Sequence, residues 1–258
     1  MKKIIQYYKQ LPANEWKELR KNISVPEYIF WWLIRGLMLY AVIVSYKEYV
    51  AEEQSFLILL QLSVNFAVTF LVTLLRFVFA KQLFLGRVPY TVQKYAMVIV
   101  FFGSFIGHYF DKCAVAGYDS FLHILSGFLL VFVCYEIVMS MQLQNRPVSG
   151  FIASVIGFGM NCFVIILWEI FEFVMDYIGG GNLQMYDPPQ PDSDYFLFRL
   201  LGMPVAMEQI HVFDTMIDIV LALVSSIPAA VLLWVLIARK NKKAALQQAE
   251  TEMPVPVA

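Results

Sequence analysis

Residues 151–177 read FIASVIGFGMNCFVIILWEIFEFVMDY. The stretch has no Lys or Arg, and its only acids, Glu169, Glu172 and Asp176, gather at its C-terminal end. A helix of about 20 apolar residues spans about 30 Å, the thickness of a bilayer's hydrocarbon core. The segment therefore predicts a membrane crossing that carries acids at one end. Five further stretches approach the same length: residues 29–46, 55–79, 95–110, 120–139 and 211–238. The predicted fold class is all-α, a polytopic membrane protein with six transmembrane helices.

Composition agrees. Of 258 residues, 60% are hydrophobic and 15% charged, against about 25% charged in an average soluble domain, which excludes a soluble globule. Nineteen Lys and Arg against 20 Asp and Glu leave no basic field to hold nucleic acid. Cys113, Cys134 and Cys162 form no CxxC pair and no even set, which excludes a disulfide framework and a zinc ribbon. The first 28 residues lack the apolar core and small-residue cleavage site of a signal peptide, so the N-terminus is expected to be retained.

Basic residues distribute unevenly over the two sides of six crossings. One side collects Lys2, Lys3, Lys9, Lys17, Arg20 and Lys21, then Lys81, Arg87 and Lys94, then Arg146, then Arg239, Lys240, Lys242 and Lys243; the other has only Lys47, Lys112 and Arg199. The positive-inside bias predicts that both termini are cytoplasmic. Residues 1–28 read as an amphipathic cytoplasmic segment anchored at the interface by Trp16, Tyr28, Trp31 and Trp32. Residues 29–238 form the membrane domain, with a long outer loop at 178–210. Residues 239–258 read as a disordered cytoplasmic tail. Pro228, after Ser225 and Ser226, is expected inside the sixth crossing as a kink that neighbouring groups tolerate.

This topology places the polar residues together. His108 and Asp111 close the third crossing, Asp119 and His123 open the fourth, Glu169, Glu172 and Asp176 end the fifth, and His211, Asp214 and Asp218 open the sixth. All three histidines of the chain belong to this outer set. The spacings i, i+4 and i, i+3, i+7 put each group on one helix face. A charge in hydrocarbon costs about 2.5 to 3.5 kcal/mol, so residues retained there face the bundle interior and mark sites or pathways.

Outside the histidines the nearby bases are Lys112 and, in the long loop, Arg199, too few to balance these acids, and bound metal, shared protons or water would relieve the repulsion. The candidate metal ligands are His123, Asp119, Asp176, His211, Asp214 and Asp218, with Glu169 or Glu172 as the catalytic base. Carboxylates mixed with imidazole suit zinc, manganese or iron, whereas oxygens alone lean towards calcium or magnesium. The match to a four-helix carboxylate bundle is partial, because no Glu-x-x-His pair is present. Plainer roles compete: Asp119 as a helix N-cap, and Glu169, Glu172 and Asp218 hydrogen-bonded to Thr215, Trp168 or backbone for packing. Asn65 and Asn161 are expected to join helices.

Three segments carry a family resemblance. They are Tyr118-Asp119-Ser120-Phe121-Leu122-His123 followed by Ser126-Gly127, then Trp168-Glu169-Ile170-Phe171-Glu172-Phe173 with Asp176, Gly180 and Gln184, then Asp214-Thr215-Met216-Ile217-Asp218. Together they resemble the YjdF-like bacterial inner-membrane proteins and, more distantly, the VanZ-like group, in which an Asp/His helix, a Glu helix and an Asp helix follow in the same order. The chain differs from the YjdF-like pattern in its long Pro-rich loop between Gln184 and Asp214. The resemblance implies a small multi-pass protein of the bacterial inner membrane. It does not supply a reaction.

Three functions are compatible with these residues. One is a metal-dependent enzyme on lipid-linked or cell-envelope substrates. Another is a proton- or cation-coupled transporter or lipid carrier, and the third a non-catalytic envelope-binding protein. Membrane lipids are the expected surroundings. No P-loop, dinucleotide fingerprint or nucleophilic Ser or Cys motif is present, which disfavours nucleotide-driven function.

Overall fold

A computed structural model describes residues 2–52, 56–79, 83–110, 115, 117–142, 147–179 and 210–252. Most of the expected outer loop (180–209), with Arg199, lies outside the described residues, as do Asp111, Lys112, Cys113 and Arg146 and the side chains of His108 and His211. Regular structure among the described residues is entirely helical. In chain order the helices are α1 (Lys2–Asn22), α2 (Val25–Val50), α3 (Phe56–Val68) and α4 (Leu71–Val78), then a 3-10 turn (Phe84–Arg87) and α5 (Tyr90–Val100). A π-helical stretch (Phe101–Tyr109) follows, then α6 (Tyr118–Ser140), α7 (Gly150–Gly179) and α8 (Ile210–Glu252).

Four of these helices, α2, α6, α7 and α8, are long and apolar enough to cross a membrane, and the bent pair α3 and α4 makes a fifth if it counts as one. The second expected crossing is therefore not a single straight rod: it turns by 57° between Val68 and Leu71. Local chemistry accounts for the break. The Thr69 hydroxyl donates to the Phe66 carbonyl at 2.6 Å, and the Thr69 carbonyl leaves the helical ladder to accept Nε and Nη2 of Arg35 at 3.2 and 2.7 Å. Gln93 of α5 bridges the two pieces, with Nε2 on the Val68 carbonyl at 3.2 Å and Oε1 accepting the Val72 amide at 3.0 Å. Backbone groups freed in an apolar setting need such partners. The third expected crossing begins earlier than read, at Tyr90, and changes from α to π geometry at Phe101.

Two packed clusters organise the molecule. The N-terminal one, built on Trp31, Ile34, Met38, Leu62 and Met97, joins α2, α3 and α5. Trp31 is thus a core residue and not the interfacial anchor expected. The outward aromatics instead form a ladder from Trp16 through Tyr28 to Trp32, with ring centroids 5.8 and 6.4 Å apart. Amphipathic α1 docks on this cluster through Leu19 and through buried Glu15, which accepts the hydroxyl of Tyr90.

The C-terminal cluster holds Val131, Phe132, Tyr135, Ala153, Ala229 and Leu233, where α6, α7 and α8 pack on one another. Tyr95 of α5 stacks on Phe132 at 5.5 Å and links the two halves. Close approach of α6 to α8 requires Gly127: a Cβ there would fall 2.6 Å from the Ala222 Cα. The Gly127 carbonyl then accepts Asn161 Nδ2 at 2.8 Å and Ser226 Oγ at 3.1 Å, so three helices meet at one buried polar node. Asn161 joins helices as expected, and Asn65 does the same by hydrogen bonding to Ser104 of the π stretch.

Helix α8 runs through Pro228 to Glu252, about 64 Å at 1.5 Å per residue. Residues 239–252 are therefore helical and not the disordered tail the composition suggested. Ala244, Ala245, Leu246, Gln247, Gln248 and Ala249 are strong helix formers, and they extend a helix already nucleated in the apolar segment. Arg87 Nη1 reaches the Gln142 carbonyl at 2.7 Å, and Asn241 Nδ2 the Val148 carbonyl at 2.8 Å. Arg87, Gln142, Val148 and Asn241 of α8 thus share one end of the molecule, and the acidic helix ends share the other.

Candidate metal centre

Helix direction assembles the site. Because α6, α7 and α8 alternate in direction, the start of α6, the end of α7 and the start of α8 converge. Glycine at 117, with φ of 76°, reverses the chain just ahead of α6, a conformation that residues with a Cβ rarely adopt. Gly117 is the N-cap position, so Asp119 lies inside the first turn and is not the cap. It shares a face with His123 one turn on.

The His123 imidazole sits at the centre. Its Nε2 is 3.6 Å from Asp218 Oδ2 on α8 and 3.7 Å from Asp119 Oδ2, and its Nδ1 is 3.8 Å from Glu169 Oε1 on α7. Two groups of ligand-type atoms lie within 4.8 Å of one another: Asp119, His123 and Asp218, and His123, Glu169 and Glu172. These separations exceed a hydrogen bond. They are close to the ~3.4 Å expected between two ligands that each lie about 2.1 Å from one tetrahedral ion.

Burial is severe. Glu169 is 4% exposed and Asp218 1%, and His123, Glu172, Asp176 and Asp214 are buried as well, whereas the Asp119 side chain is 23% exposed. No Lys or Arg occurs in residues 118–140, 150–179 or 210–238, so these helices contribute no cation of their own. Both oxygens of Glu169 are shielded from solvent and accept no hydrogen bond from the described residues. Glu172 Oε1 accepts the Trp168 indole N–H at 2.7 Å. The packing contact with Trp168 expected from the sequence is therefore realised for one oxygen of Glu172.

Of the expected residues, the structure brings Asp119, His123, Glu169, Glu172 and Asp218 together. Asp176 and Asp214 are buried one turn further out on the same helices and belong to neither ligand-spaced group. The side chain of His211 is outside the described residues. The N-terminal half holds polar residues that a count of loop charges passes over. Glu15, Arg76 and Tyr90 form a buried set in which Arg76 Nε meets Glu15 Oε2 at 2.6 Å and the Tyr90 hydroxyl donates to the same oxygen at 3.2 Å. The signal for them was an arginine inside an apolar run, at Arg35 and again at Arg76.

Comparison with known proteins adds a family. Neither curated proteins nor solved structures give a match, and the comparisons bring no support for a VanZ-like relationship. A family model described as "Predicted membrane protein (DUF2238)" matches residues 29–239, which hold every member of the His123 cluster. The chain belongs to that family of predicted membrane proteins.

Proposed function

We propose that the chain is a six-crossing protein of the bacterial inner membrane, with both termini cytoplasmic and a divalent-cation site at its outer face. It would serve as a metal-dependent enzyme on lipid-linked or cell-envelope substrates. The π-bearing segment Tyr90–Tyr109 and the broken pair α3 and α4 count as crossings in this reading. The excess of Lys and Arg at the end away from the acids supports its orientation.

One observation carries the metal reading: the Glu169 carboxylate is buried beside His123 with neither oxygen hydrogen-bonded. Such a group is costly unless a cation or proton completes it. Imidazole with carboxylates favours zinc, manganese or iron. A bound ion supplies Lewis acidity towards a phosphoryl or acyl oxygen, and the surrounding carboxylates are placed to take a proton. Reporter fusions at Met1 and Ala258 are expected on the cytoplasmic side. Elemental analysis of the protein purified in detergent is expected to give metal in stoichiometric amount. A preparation that neither retains zinc, manganese or iron nor takes one up would refute the metal reading. The broken pair α3 and α4 gives a transport role its own support, since interrupted helices line ion and substrate sites in transporters. Proton or cation flux in vesicles, with no retained metal, would favour that role.

A further inference from the structure

We infer that His123 divides the cluster into two working halves: a cation side on Nδ1, with Glu169 and Glu172 as its other ligands, and an orienting side on Nε2, where Asp218 holds the ring. The inference rests on the cation reading proposed above and assigns the residues within it.

A neutral imidazole has one lone pair and one N–H, so it can ligate on one side only and must donate on the other. Both sides of His123 are lined by acid. Nδ1 faces Glu169 at 3.8 Å, and Nε2 faces Asp218 and Asp119 at 3.6 and 3.7 Å. Acceptor capacity decides between them. Glu169 is 4% exposed, and both of its oxygens are without a hydrogen bond. An N–H on Nδ1 could satisfy one of these oxygens, whereas a cation can engage both.

Glu172 completes that side. Its Oε1 is held by Trp168 at 2.7 Å, which leaves Oε2 for the ion. Ligating carboxylates are commonly fixed by such second contacts. Three protein ligands drawn from α6 and α7 leave a coordination position open, as catalytic zinc sites do. The Nε2–H then belongs to Asp218, and the carboxylate–imidazole–metal arrangement fixes both the tautomer and the ring plane. Asp218 is on this account a positioning residue contributed by α8, and Asp119, the most exposed member, stands between it and the outside.

Zinc and cobalt(II) titrations of the full chain in detergent, after chelator treatment, test this. The wild type is expected to bind one ion per chain, E169Q to lose binding by 100-fold or more, and D218N to keep one ion per chain with affinity lowered about 10- to 100-fold and an altered cobalt spectrum. If D218N abolishes binding and E169Q retains it, the ion sits on Nε2 and the assignment fails. Two ions per chain would also overturn it. No binding by the wild type would sink the cation reading itself. A measurement on the unmutated protein guards against misfolded variants: with ¹⁵N-labelled histidine, zinc is expected to shift one imidazole to the Nδ1-metallated, Nε2–H form, and the reverse tautomer would overturn the proposal.

Discussion

In the N-terminal half, buried charges meet opposite charge, carbonyl oxygens or aromatic faces. Arg76 donates to Glu15 Oε2 and to the Val88 carbonyl at 2.9 Å, and its guanidinium lies 4.8 Å from the Tyr90 ring centre. Arg35 grips the Thr69 carbonyl with two nitrogens and lies 4.2 Å from the Phe70 ring centre. In the C-terminal half, Asp119, Asp218 and Glu169 stand 3.6 to 3.8 Å from one imidazole, and neither oxygen of Glu169 accepts a hydrogen bond from the described residues. A buried charge whose polar atoms are paired serves architecture, here the helix break and the seat of α1. A buried carboxylate without a hydrogen bond raises the free energy of the folded chain, a cost that a cation or a proton would relieve.

The largest effect is expected of Glu15→Ala. It leaves Arg76 buried without its carboxylate, so thermal unfolding in detergent is expected to show a loss of about 3 to 5 kcal/mol. A loss under about 1 kcal/mol would mean that the ion pair does not hold α1 in place.

Next in size is Asn161→Ala, which strips the Gly127 carbonyl and Ser226 Oγ of a shared donor in the middle of α6, α7 and α8. The expected cost is about 2 kcal/mol, read from the same unfolding transition. A silent change would show that small-residue packing alone fixes these helices.

Glu169→Met is expected to act with the opposite sign to Glu15→Ala. In chelator it removes a buried carboxylate that accepts no hydrogen bond, and it should stabilise the chain by about 1 kcal/mol or more. Added metal should raise the unfolding temperature of the wild type and not that of the variant. Destabilisation by Glu169→Met in chelator would place Glu169 with the architectural charges.

The smallest effect belongs to Trp168→Phe. Trp168 is half exposed, and its indole N–H holds only Oε1 of Glu172. A loss of about 0.5 to 1 kcal/mol is expected, with metal affinity lowered and stoichiometry unchanged. Loss of stoichiometric binding would make the indole contact essential to the site and not merely supportive.

Much of the fold was legible because membrane insertion writes long apolar runs into the chain. The fourth and fifth crossings fall within a few residues of α6 and α7, and the acids sit on shared faces because helical periodicity fixes spacing. What escaped was determined by contacts distant in sequence. The 57° turn between α3 and α4 depends on Arg35 and Gln93, which lie 34 and about 25 residues from the groups they bond. The docking of α1 depends on a pair separated by 61 positions. The helical extension to Glu252 is local in origin, but the polarity of the segment masks the helix propensity of its alanines and glutamines.

Taken alone, the sequence determined that the chain is helical and built for a membrane, and that its acids and histidines share helix ends, since hydrophobic length and periodicity are local properties. It could not rank those acids. Asp176 and Asp214 keep the same spacing rules as Glu169 and Asp218, yet only the latter two flank the two nitrogens of His123. That choice depends on the rotation of three helices about their axes, set by the close contact at Gly127 and the Asn161–Ser226 node. Tertiary packing therefore decided which carboxylates meet the imidazole, because one turn of helix moves a side chain by about 5 Å, more than the width of a coordination sphere.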